Sequence, residues 1–126
     1  MNLEMNVDKV SLTSPEADLY IRIDCYDNDE LECMLSIEEF QILDTNLSDV
    51  EDRKFFIRFT AKLLIEFWYN GRQERLVVAA EDIEFSSDDS INYYLTDLAI
   101  EDCTFHIEDI REIFGEQTIV NFYTID

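Results

Sequence analysis

The stretch FFIRFTAKLLIEFWYNGRQERLVV, residues 55–78, constrains the fold more than any other part of the chain. Its odd positions from Phe55 to Tyr69 are all apolar. Its even positions mix Phe56, Leu64 and Trp68 with Arg58, Thr60, Lys62 and Glu66. One apolar face and one mixed face, built from aromatic and β-branched residues, suit a strand. A helix is the competing reading. Lys54, Arg58, Lys62, Glu66 and Asn70 would form a polar stripe, Ser48 and Glu51 a capping box, and Gly71 the terminating residue.

The residues after Asn70-Gly71 discriminate between the two. A two-residue type I′ turn there sets Tyr69 against Arg72. In the same register Glu66 meets Arg75, Ile65 meets Leu76, Leu64 meets Val77, Leu63 meets Val78 and Ala61 meets Ala80. Charge matches charge and apolar matches apolar, as cross-strand pairs require. A long hairpin over about 55–80 is therefore expected. Strands usually run to ~5–6 residues, so a bulge or bend is expected near Thr60-Ala61, with the segment before it open to partial helix.

Elsewhere the chain repeats short local patterns. LYIRIDCY alternates with Leu19, Ile21, Ile23 and Cys25 on one side, and LECMLSI with Leu31, Cys33, Leu35 and Ile37. Paired across a turn-rich DNDE loop of odd length, the two would share a face and bring Cys25 near Cys33. CMLSIEEFQIL (33–43) and CTFHIEDIREIF (103–114) echo each other, each reading as a strand entering a short helix. Ser36 and Glu39 form a capping box, and Gly115 is placed to end the second helix. Ile91, Tyr94, Leu95 and Leu98 have helical spacing within 88–98, and TIVNFYTI reads as a final strand. The expected fold is a single α+β domain over residues 1–126. It has a mainly antiparallel sheet of about five or six strands, the long hairpin, and two to four short helices.

Composition bounds function more than it defines it. Hydrophobic residues make up 47% of the 126, enough for a core. The formal net charge is −21, from 30 acids against 9 bases. Such a chain repels nucleic acid and anionic membrane. The charge is uneven along the sequence. Residues 53–75 hold six bases against two acids, a net of +4, which leaves −25 for the remainder. The first ten residues show no export signal, and three cysteines without a CxxC motif read as reduced thiols, so a cytoplasmic location is expected.

Catalytic and metal chemistry find little to work with. His106 is the single imidazole, and its place at a helix start suits a capping or surface role. Gly71 and Gly115 look like turn and cap residues, which leaves no phosphate-cradling loop. Asp27-Asn28-Asp29-Glu30 lacks the spacing and central glycine of a calcium loop. No enzyme, cofactor or metal is expected. The charge points instead to an acidic inhibitor of the general kind of immunity proteins or phage-encoded defence inhibitors. Its carboxylates would replace phosphates on a basic partner, such as a nuclease, a nucleic-acid-binding enzyme or a toxin. The expected contact residues are Tyr26, Asp27, Asp29, Glu30 and Glu32, joined by Asp49, Glu51 and Asp52. The alternative is a small structural or adaptor protein that self-associates, as a homodimer for example, through its basic hairpin.

Overall fold

The computed structural model describes residues 3–11, 18–25, 33–45, 56–86 and 90–124. Strands β1 (Leu3–Ser11), β2 (Asp18–Cys25), β3 (Cys33–Thr45), β4 (Phe56–Tyr69), β5 (Arg72–Ser86) and β6 (Ile91–Tyr94) come first. A 3₁₀ turn at Leu95–Asp97 leads to β7 (Ala99–Cys103). A second 3₁₀ turn at Ile107–Asp109 runs into the helix α1 (Ile110–Phe114), and β8 (Ile119–Thr124) closes the order.

The Asn70-Gly71 hairpin forms in the register read from the sequence. Tyr69 pairs with Arg72, Glu66 with Arg75, Leu64 with Val77 and Ala61 with Ala80. Asn70 at φ 53° and Gly71 at φ 74° supply the two positive angles of a type I′ turn. A Cβ on Gly71 would meet no atom within 4 Å. Gly71→Ala is therefore expected to cost about 1 kcal/mol through backbone strain alone, read as a lowered urea midpoint. The bulge also lies where the strand length called for one. The register shifts between Phe59 and Ala61, and Asp82 takes φ 52° with its N–H donating to Thr60 Oγ1 at 3.3 Å. Extended backbone continues back to Phe56.

The strands form two antiparallel sheets, β1-β2-β8-β6 and β3-β4-β5-β7. Leu19, Ile21 and Ile23 of β2 and Val120 and Phe122 of β8 face inward from the first sheet. Ile57 to Phe67 at odd positions of β4, with Leu76, Val78, Ala80 and Ile83 of β5, face inward from the second. Phe59 and Phe122 join the layers edge to face at 5.5 Å. At the hairpin end Phe114 of α1 packs on Phe67 with ring centroids 4.9 Å apart. Gly115, at φ 82°, ends α1 with its N–H on the Arg111 carbonyl at 2.8 Å, as its position in the sequence suggested.

The α+β expectation holds in outline, as antiparallel strands with one short helix, but the counts differ. The described residues hold eight strands in two sheets and one five-residue α-helix. β2 and β3 do not pair. β2 lies between β1 and β8, whereas β3 pairs with β4. Both apolar faces reach the same core, but from opposite layers. Cys33 is buried, and the side chain of Cys25 lies outside the described residues.

Residues 33–43 stay extended. A bulge between Ile37 and Glu39 inserts one residue, so Ile37 and Phe40 both face the core at a spacing that imitates a helix. In the other half of the echo the chain does leave a strand for a helix, so the two are not structural copies. Residues 91–97 form β6 and a 3₁₀ turn in place of the expected helix, because Ile91–Tyr94 pairs with β8. Among the described residues no helix is long and apolar enough to cross a membrane.

Candidate functional site

The expected contact residues Tyr26, Asp27, Asp29, Glu30, Glu32, Asp49, Glu51 and Asp52 all lie outside the described residues. Among the described ones, the strongest candidate is the outer face of the β3-β4-β5-β7 sheet. Strand alternation builds it: with the odd positions of β4 buried, Arg58, Thr60, Lys62, Leu64, Glu66 and Trp68 point outward. Leu64 lies between Ser36 and Val77, Glu66 between Met34 and Arg75, and Trp68 opposite Gln73. Gln73 Nε2 donates to Glu66 Oε2 at 3.3 Å. Trp68 is 60% exposed and Met34 67%, unusual for such large side chains.

The basic character of the hairpin is largely cancelled within the molecule. Lys62 Nζ lies 3.7 Å from Glu39 of β3, Arg75 Nη2 lies 3.5 Å from Asp102 of β7, and Arg58 Nε lies 2.9 Å from Asp82 at the bulge. These exposed pairs contribute little stability each, but they decide which charges the surface presents. A shallow depression of about 410 Å³ has Leu64 and Val77 as its apolar floor and contains the Lys62–Glu39 and Arg75–Asp102 pairs. Glu38 and Glu101 complete its lining from the two edge strands. Four carboxylates against two cations give the depression a net charge of −2. Neither Glu38 nor Glu101 joins an ion pair among the described residues. In the sequence Trp68 stands on the mixed face of β4 without being one of the expected contact residues. A large aromatic on that face was the available signal.

A second cleft, about 390 Å³, lies at the hairpin end and includes Arg72, Glu74, Cys103, His106 and Asp109. Thr104 Oγ1 donates to Glu74 Oε2 at 2.6 Å and accepts from the Arg75 N–H at 2.8 Å. The Cys103 thiol donates to the Phe105 carbonyl at 3.2 Å. His106 precedes the second 3₁₀ turn without capping it through its side chain. In this cleft the Thr104 hydroxyl is thus engaged with Glu74 and Arg75, and no nucleophile hydrogen-bonded to the His106 imidazole is found among the described residues. Nor is any group of three or more metal-ligating side chains.

On the outer side of the other sheet, Arg22 Nε approaches Asp24 Oδ1 at 3.2 Å, and Asp24 is buried. The Arg22 guanidinium lies 5.5 Å from the Tyr123 ring centroid, and Tyr123 stacks on Tyr20 at 5.5 Å. The Arg22–Asp24 approach is an ion pair and not a hydrogen bond, and the array is read as structural. The chain matches no protein-family model, no curated protein and no solved structure.

Proposed function

We propose that the protein is an acidic binding protein that occupies a basic surface of a partner, of the type that binds nucleic acid. The observation that carries this reading is the arrangement of charge. The chain carries −21, and three bases of the hairpin, Arg58, Lys62 and Arg75, are each held by a carboxylate of the same molecule. An approaching protein therefore meets an excess of unpaired carboxylates, the condition for electrostatic capture of a basic surface. Self-association through a basic hairpin is the weaker reading, because those internal pairs take up the charge that would attract a second acidic copy.

The test is titration against purified basic nucleases and DNA-binding proteins, with duplex DNA as competitor. Binding is expected to weaken steeply with salt, chiefly through slower association, and DNA is expected to displace the protein. Neutralising Asp27, Asp29, Glu30 and Glu32 to Asn or Gln tests the contact patch expected from the sequence. If that patch is the interface, binding should fall by several kcal/mol, since truncating a buried interfacial charge pair costs about 2–5 kcal/mol. Salt-insensitive binding that DNA leaves untouched would defeat the proposal.

A further inference from the structure

The outer face of β3-β4-β5-β7 combines two features that solvated sheet surfaces do not need. The first is a diagonal apolar strip. Trp68 lies on β4, Met34 is diagonal to it on β3, Leu64 lies four residues back along β4, and Val77 faces Leu64 from β5. Diagonal neighbours of this kind are within reach of long and aromatic side chains. At about 3.4 Å per residue, four residues of β4 span about 14 Å, or two to three turns of an α-helix at 5.4 Å each.

The second is the placement of two bulges. β3 shifts register between Ile37 and Glu39, which makes Glu38 the inserted residue. On the opposite edge the β5–β7 register shifts between Val77 and Val78, whose partners are Asp102 and Ile100, which makes Glu101 the inserted residue. Bulges re-aim side chains. Here both inserted residues line the same depression from opposite rims, and both remain outside the ion pairs that hold Glu39 and Asp102.

We propose that this face docks a basic amphipathic segment of a partner protein. Its apolar side chains would lie along Trp68, Met34 and Leu64, and its Lys or Arg residues would reach Glu38 and Glu101. The inference rests on the acidic-binder reading and adds to it the surface and the chemistry of the segment. Charge complementarity selects the occupant. A second copy brings −21 and has Arg58, Lys62 and Arg75 of its hairpin already paired, and an anionic membrane is repelled. A purely polar basic loop would leave the exposed indole and thioether unused, whereas aromatic and Met side chains are preferred contacts in interface cores.

Trp68 is the single tryptophan of the chain, so its fluorescence reports on this face alone. The probe is a synthetic amphipathic helix of Lys and Leu, compared with polylysine of equal charge and with anionic vesicles. The Lys/Leu helix is expected to shift Trp68 emission to the blue and to bind more tightly than polylysine. By calorimetry, Trp68→Ala should weaken it about thirtyfold, the loss typical of a hot-spot residue. Glu38→Gln with Glu101→Gln should weaken it about tenfold, mainly in association rate. Trp68 is exposed, so its alanine variant should melt as the parent does; Met34→Ser, also expected to weaken binding, gives a second readout at the same strip. If the helix and polylysine bind alike without moving Trp68 emission, or the Trp68 and Met34 variants bind as the parent does, the docking face is wrong while the acidic-binder reading survives. If neither basic probe binds, both fail. A blue shift with anionic vesicles would assign the face to a membrane and overturn the proposal.

Discussion

Phe59→Ala is expected to lower folding stability by about 3–5 kcal/mol, the usual cost of removing a fully buried aromatic ring. Phe59 has no exposed surface and lies where the two sheets meet. Its ring contacts Phe122 of the first sheet edge to face at 5.5 Å and stacks against Phe40 of the neighbouring strand at 5.3 Å. It also pairs with Ile83 just past the β4–β5 bulge, so collapse of the cavity would have to move a backbone already committed to that irregularity. A loss of this size is a large share of the roughly 5–15 kcal/mol available to a small domain. It should appear as a much lower urea midpoint with an unchanged slope. Trp68→Ala removes a larger side chain from an exposed position and should stay within about 0.5 kcal/mol. If Phe59→Ala cost no more than that control, the two layers would not share the core described above.

The second large effect concerns the buried carboxylate of the first sheet. Arg22→Met is expected to cost about 3 kcal/mol, because it leaves Asp24 without its charge partner; breaking a buried pair typically costs 3–5 kcal/mol. The lower end applies because the Arg22 side chain is 27% exposed whereas that of Asp24 is 2% exposed. Part of the loss comes from the Tyr123 ring beneath the guanidinium. Asp24→Leu alone should cost less, since Arg22 retains solvent access and the ring. The double variant Arg22→Met with Asp24→Leu should recover much of the loss, since apolar replacement of a whole buried pair is often neutral or stabilising. The measurement is a double-mutant cycle from chemical denaturation. Additive losses would show that the two side chains act independently and that the 3.2 Å approach contributes nothing specific.

What the sequence determined by itself was local. Alternation over residues 55–69 and the positive angles that Asn-Gly accepts were sufficient for the hairpin, its register and the need for a bulge near Thr60. Gly115 ended a short helix for the same reason of backbone freedom, and TIVNFYTI was legible as the last strand. Period 2 says which side of a strand is apolar, not which ladder it joins, so β2 and β3 looked like neighbours although they face the core from opposite sheets. β3 looked helical past Ser36 because an inserted residue put Ile37 and Phe40 three apart on one face. The segment 91–94 became a strand through its long-range partner β8 and not through its own spacing.

The candidate face was legible only in fragments. Trp68 stood on a mixed face, and the cations of residues 53–75 were countable, but the neutralisation of Lys62 by Glu39 and of Arg75 by Asp102 depended on which strands lie beside the hairpin, and that of Arg58 by Asp82 on the bulge in β5. All three acids are more than 20 residues away from the base they meet. Charge sums along a chain are additive, whereas fields at a surface depend on separation in space. Only the pairing of β3 and β7 on either side of the hairpin could turn a basic stretch of sequence into an internally paired, acid-rimmed face.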